Sequence, residues 1–346
     1  LDRRKVDLAI GRLTEAVHRR PGDAKAQSQL ADLWIYRYRL KVYELLKEQP
    51  TLTQKMPEDR FWDFTNISVL HQRANQLQQT GNLSLLQKLR SNPLIVENLN
   101  PAAEHLWAAR SACPILPRID LKLAALSFLV DVHSPTGEKH LRRAVRLTPG
   151  DPNVLYVAGV LADNAQLNEL AYDCWRRSLT LTRRYKKEIL SKASHRLKMP
   201  EMIDKVLPAL PEVLLNLARN EFADNQFDEQ RPLLVERVLR LIEAQKEQFP
   251  EQRRHYLHAV VYSLRNQPET AIESYRRALA LEPFQVEWRF ELAVLLQKQG
   301  RLKEALDEAK LCLLLAPGRK EFRNLVYELN RIRLRRFSAK PKTLGY

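Results

Sequence analysis

Thirty-four residues separate Pro283 from Pro317, and the stretch between them repeats the character of the 34 residues before it. Ala259 is answered by Ala293, Ala271 by Ala305, Ala278 by Cys312 and Pro283 by Pro317. A fixed period of this length means a supersecondary unit stacked on copies of itself. Each period holds two apolar stretches of helical spacing, separated by a break at Asn266 and again at Gly300. Small residues at matched offsets let two helices approach closely, and larger neighbours fill the gap to the next pair. Only 9 of the 346 residues are glycine, which argues against a turn-rich β architecture.

Weaker copies follow the same offsets. Ala9, Leu13, Ala16 and Pro21 match the second helix of a unit, and Leu30-Ala31 with Trp34 opens another first helix. Ala124-Ala125, Phe128, Leu141, Ala144 and Pro149 make a further copy. The next has Ala158-Gly159, Ala162, Ala171, Trp175 and Ser178, with Arg183 where the proline would stand. These offsets resemble the tetratricopeptide repeat family. The resemblance implies an all-α fold: a right-handed α-solenoid of antiparallel helix pairs, with irregular middle repeats and a capping helix at Arg319–Arg336. It implies a non-enzymatic scaffold that takes a peptide or partner helix on its concave face, without a cofactor. It also places a partner-binding groove. Tyr156, Tyr256 and Phe290 share one concave offset, Val160, Val260 and Val294 the next, and Lys298 lies one turn on. The clamp with which some members hold chaperone tails needs Lys and Asn at those two offsets, and both are replaced here.

The pattern lapses twice. From Tyr36 to Pro117 the first helix runs on through Leu45-Leu46, and a second is expected after Pro57, carrying Phe61, Trp62 and Phe64. Short pieces follow around Leu83–Leu89, Leu94–Leu99 and Ala102–Ala109, with Pro93, Pro101 and Pro114 as breakers. Lys186–Pro250 is helical but irregular. The expected organisation is residues 1–117 (half repeat and irregular segment), 118–183 (repeats), 184–250 (degenerate repeats), 251–337 (two clear repeats and a cap) and 338–346 (a tail). The chain opens at Leu1 inside a helical pattern, so we expect a fragment of a longer protein. Its first helix should turn Leu8, Leu13 and Val17 onto the helix that follows, or onto a second copy of the chain.

Lys and Arg outnumber Asp and Glu by 57 to 41, a formal net charge of +16. Nine of those cations and one acid, Glu188, fall between Arg176 and Lys198. Such an excess favours an anionic contact, and Arg176, Arg177, Arg183, Arg184, Lys186 and Lys187 form the candidate patch. An acidic protein segment, an anionic membrane surface and RNA all satisfy charge alone; no groove-reading motif or stacking platform favours nucleic acid. A second resemblance, to the repeat tails of bacterial O-antigen ligase/polymerase-type membrane proteins, implies a regulatory tail instead of a free scaffold. A third reading is an RNA-binding helical repeat. The compartment stays open between cytoplasmic and membrane-adjacent.

Chemistry-bearing motifs are missing from the sequence. There is no phosphate loop, nucleophile elbow or HExxH zinc motif. Cys113, Cys174 and Cys312 are too dispersed for a disulfide framework or a thiolate zinc site and read as structural thiols. His255 and His258 share a helix face, but with no third ligand nearby they read as packing residues. His133 and His140 read as solvated residues at a loop–helix junction. Trp62, Trp107 and Trp175 read as core, and the acids of Glu221–Glu229 lack the glycine of a calcium loop. We therefore expect no catalytic residue and no metal.

Overall fold

A computed structural model describes residues 3–48, 65–129, 136–220 and 230–338. Among the described residues all regular structure is helical, with no strand. The chain divides into two compact units, Leu1–Arg196 and Leu197–Tyr346. The expected helix at Phe61–Phe64, the Glu221–Glu229 acids, Trp62 and His133 lie outside the described residues.

Unit 1 opens with α1 (Arg3–Arg19) packed on α2 (Ala24–Glu48). Val6, Ile10 and Val17 of α1 close over Leu30. Leu8, expected on that face, is instead 57% exposed: the helical period through Val6, Ile10, Leu13 and Val17 carries it to the other side. Then come α3 (Ile67–Gln79), α4 (Leu83–Arg90) and α5 (Pro93–Ala112). The side chains of Asn66, Asn82 and Asn92 cap the three helices by accepting from backbone N–H groups in their first turns. Pro101 does not break α5, contrary to the sequence expectation. Leu99, Ala102, Leu106 and Ala109 are fully buried where α5 runs along α2, and that packing outweighs one lost ladder hydrogen bond.

The repeats of unit 1 are α6 (Pro117–Ala125) with α7 (Thr136–Leu147), and α8 (Pro152–Asn164) with α9 (Asn168–Leu181), followed by α10 (Lys186–Ser194). Unit 2 starts irregularly with α11 (Met199–Lys205), α12 (Pro211–Asn220) and α13 (Gln230–Ala244). It becomes regular at α14 (Glu251–Leu264) with α15 (Pro268–Leu281), and α16 (Val286–Lys298) with α17 (Leu302–Leu315). The last helix, α18 (Lys320–Ser338), buries Phe322, Leu325 and Leu329 against this stack.

Two offsets explain why these pairs form. Gln166, Asn266 and Gly300 occupy the same repeat position and all three have left-handed backbone, at φ 58°, 57° and 73°. That single residue turns the first helix of each pair into the second. The other offset is a size exchange. Gly159, Ala259 and Ala293 sit on first helices, opposed in sequence register by Trp175, Tyr275 and Ala309 on second helices, and all six are buried. The largest second-helix residue stands with the smallest first-helix one, which keeps the pairs close-packed.

Candidate functional site

Unit 2 carries an open cleft of about 420 Å³. Ala218 and Arg219 of α12 and Arg231 of α13 form one side; Ser263, Leu264 and Tyr275 come from the α14–α15 pair. The α16 helix supplies Phe290, Glu291, Val294, Leu295 and Lys298. Phe290, Val294 and Lys298 follow one another at four-residue spacing, so an aromatic, a β-branched residue and an ammonium line a single helix face. Lys298 is exposed; Phe290 and Val294 are half-buried, and the Phe290 ring lies 5.1 Å from that of Phe322.

The cleft's floor is ionic. Arg219 donates to both oxygens of Glu291, Nη1 to Oε1 at 2.8 Å and Nη2 to Oε2 at 2.9 Å. The Tyr275 hydroxyl donates to Oε2 at 2.7 Å and the Tyr256 hydroxyl to Oε1 at 3.3 Å. Each carboxylate oxygen thus receives two donors, and the charge of Glu291 is spent inside the fold. Burial, reinforced by the Glu291 charge, pushes the Tyr256 phenol up to about 12 and Tyr275 well above the ordinary range. Burial alone would lower the Arg219 guanidinium, but hydrogen bonding and charge from Glu291 raise it above its usual value. With that pair neutral, the exposed Lys298 gives the cleft its positive edge.

This geometry sorts the residues singled out in the sequence. Phe290, Val294 and Lys298 line the cleft; Val260 does not. It is 1% exposed, enclosed inside unit 2. Tyr256 lies outside the lining, stacked on Trp288 at 4.8 Å with its hydroxyl on Glu291. Arg219, Tyr275 and Glu291 were missed. A signal existed for Glu291: its repeat equivalents are Leu257 and Leu325, both buried, so a charge stands at an apolar offset.

Tyr156 and Val160 belong to unit 1. Tyr156 stacks on Tyr185 with ring centroids 4.3 Å apart and lines a separate polar cleft with Asp163, Glu188, Lys192, His195 and Arg196. Val160 is half-buried and not part of that lining. Burial raises the Asp163 carboxyl, opposed by the charges of Arg196, Lys192 and His195, and Arg196 Nε lies 2.7 Å from Asp163 Oδ1. The basic run around these residues is thus partly answered by acids outside it: Arg177 is 3.4 Å from Asp173. Arg183, Arg184 and Lys187 are exposed, Arg184 lying over the Tyr185 ring; Arg176 and Lys186 are half-buried.

His140 is not a solvated residue. Its Nδ1 lies 2.7 Å from Asp120 Oδ1, both side chains are buried, and Arg110 and Arg143 flank the carboxylate at 3.4 Å and 3.3 Å. Trp107 is 39% exposed, not core, with its ring against His140 and beneath Arg110. His255 lies beside Glu251, and among the described residues no three His, Cys, Asp or Glu side chains gather where a metal ion would be held. Cys174 and Cys312 are buried and Cys113 half-buried. No helix among the described residues is long and apolar enough to cross a membrane.

Stacked helix pairs with an open, partly apolar cleft define a helical-repeat protein, a class whose surfaces serve protein–protein interaction. Residues 256–313, which fall within the helices α14 to α17, match the tetratricopeptide repeat family. No curated protein matches the chain. Among solved structures it is similar to yeast Tom70 (12% identity, 97% of this chain and 87% of that one, TM-score 0.35). It is also similar to the tetratricopeptide domain of P58(IPK) (15%, 97% and 95%, 0.30) and to the human IFIT1 dimer with m7Gppp-AAAA (14%, 98% and 88%, 0.37).

Proposed function

We propose that the chain is a non-enzymatic interaction scaffold and that the unit 2 cleft receives a short peptide with an apolar core and acidic flanks. The observation that carries this reading is the cleft wall itself: Phe290 and Val294 offer apolar area, and Lys298 stands exposed one turn on. Aromatic and aliphatic side chains supply the affinity in such a groove, while a rim lysine biases orientation and association rate. The neutralised Arg219–Glu291 pair holds α12 against α16 and keeps the floor from repelling an acidic ligand.

A displayed peptide library panned on the full chain tests this. Selected peptides should combine two or three apolar residues with Asp or Glu. Their affinity should fall at least tenfold in Phe290→Ala plus Val294→Ala, with circular dichroism and melting little changed. Selected peptides that bind this folded variant undiminished would place the groove elsewhere.

A further inference from the structure

One face of α18, the helix that follows the last regular repeat, is exposed. In the two regular repeats, one face of the first helix is covered by the second helix of the same repeat. Ala259 and Ala293 mark that face and are fully buried. In the next period the equivalent residue is Tyr327 of α18, and it is 72% exposed. Leu334, seven residues on and on the same helix face, is 66% exposed. Lys320, Arg323 and Arg331 surround the two at helical spacing, and all three are exposed. The face of α18 that would hold a partner helix is therefore open, apolar along its middle and basic along its edges.

The neighbouring helix agrees. Arg276 of α15 forms an ion pair with Glu304, which belongs to the following second helix, α17. One period later the equivalent of Arg276 is Lys310, exposed and in no ion pair among the described residues. Lys303, seven residues before Lys310 and on the same face of α17, is also exposed. Leu314 of α17 is 76% exposed, where the equivalents in the other repeats are Thr180 and Ala280. So the slot one period beyond α17 is framed by Lys303, Lys310, Lys320, Arg323 and Arg331, with Leu314, Tyr327 and Leu334 at its base. Asp307, Glu321 and Glu328 are the exposed acids nearby in sequence, and Glu321 is paired with Arg319.

We propose that this slot receives an acidic amphipathic helix of a partner protein, docked where the second helix of a further repeat would lie. Charge decides the occupant. Five cations of one sign repel a second copy of the same face, and the in-chain precedent across this contact is an arginine answered by glutamate. Its length follows from the helices it imitates: α15 and α17 each have 14 residues. Tyr327, in place of alanine, holds the docked helix further from α18 than α17 stands from α16, as suits a reversible contact.

The test uses a labelled synthetic 16-residue helical peptide on the full chain, with leucines at i, i+4, i+7 and i+11 and glutamates flanking them. Saturable binding by fluorescence anisotropy is expected, weakening as salt rises. Lys310→Glu with Arg323→Glu and Arg331→Glu should reduce affinity at least tenfold, and so should Tyr327→Ala with Leu334→Ala. All five side chains are exposed, so helicity and melting temperature should hold in both variants. Phe290→Ala plus Val294→Ala, which empties the cleft, should leave this binding intact, so the two sites stand or fall separately. The proposal is overturned by no saturable binding, or by equal binding of a lysine-flanked control peptide. Loss in the cleft variant alone would also overturn it, as would docking of this face to phosphatidylglycerol vesicles with the peptide ignored.

Discussion

Replacing Gly159 by alanine should destabilise unit 1, although alanine is the better helix former. A Cβ on Gly159 would lie 2.4 Å from both Cδ1 and Nε1 of Trp175 and 3.2 Å from its Cγ. Trp175 is fully buried and cannot swing aside, so α8 and α9 must part. Overpacking of this kind costs about 1–3 kcal/mol, and the rigid indole puts this site near the top of that range. Helix propensity returns about 1 kcal/mol, leaving a net loss of about 2 kcal/mol. For a unit of this size that lowers Tm by roughly 4–8 °C. Thermal and urea unfolding followed by circular dichroism would measure it. The chain itself suggests the rescue, because Ala259 is matched in register with Tyr275. Gly159→Ala with Trp175→Tyr should be more stable than the sum of the two single losses, with a coupling of about 1–2 kcal/mol. A Gly159→Ala variant as stable as the parent, or more so, would refute the close-packing argument and show that the helix pair yields freely.

Glu291→Gln should cost about 2–3 kcal/mol, since Arg219 and two phenols lose a charged partner in a half-buried site; in ultraviolet titration Tyr256 and Tyr275 should then ionise closer to pH 10. His71 is 3% exposed and its imidazole is lowered to about 4 by burial, so the folded chain keeps it neutral while the unfolded chain protonates near 6.5. Its stabilisation is present above about pH 6.5 and is lost as pH falls towards 4, by about 3 kcal/mol; His71→Leu should flatten that part of the stability–pH curve. Burial raises the Cys174 thiol to about 12 and Cys312 to about 11, so an aromatic disulfide reagent should label Cys113 first in the folded chain, with the other two appearing only on unfolding. Cys312→Ser should cost about 1 kcal/mol and leave peptide capture unchanged.

Periodicity and residue size determined the helix pairs, because both are local properties. The alanine offsets, the break at Asn266 and Gly300 and the proline spacing each report on a contact or turn within one repeat, and stacking repeats adds only nearest-neighbour contacts. The same logic places Phe290, Val294 and Lys298 on one face of α16. What needed tertiary structure was which neighbour each face meets. Leu8 and Val260 failed because apolar character does not say on which side of a helix the core lies. Pro101 failed because packing on α2, distant in sequence, outweighs a local helix breaker. His140 was expected in solvent, but folding encloses it with Asp120, twenty residues away in sequence. The ionic floor of the cleft was hidden for the same reason. Arg219 and Glu291 are 72 residues apart, and a charge at an apolar offset becomes interpretable only when its counter-charge arrives from another helix.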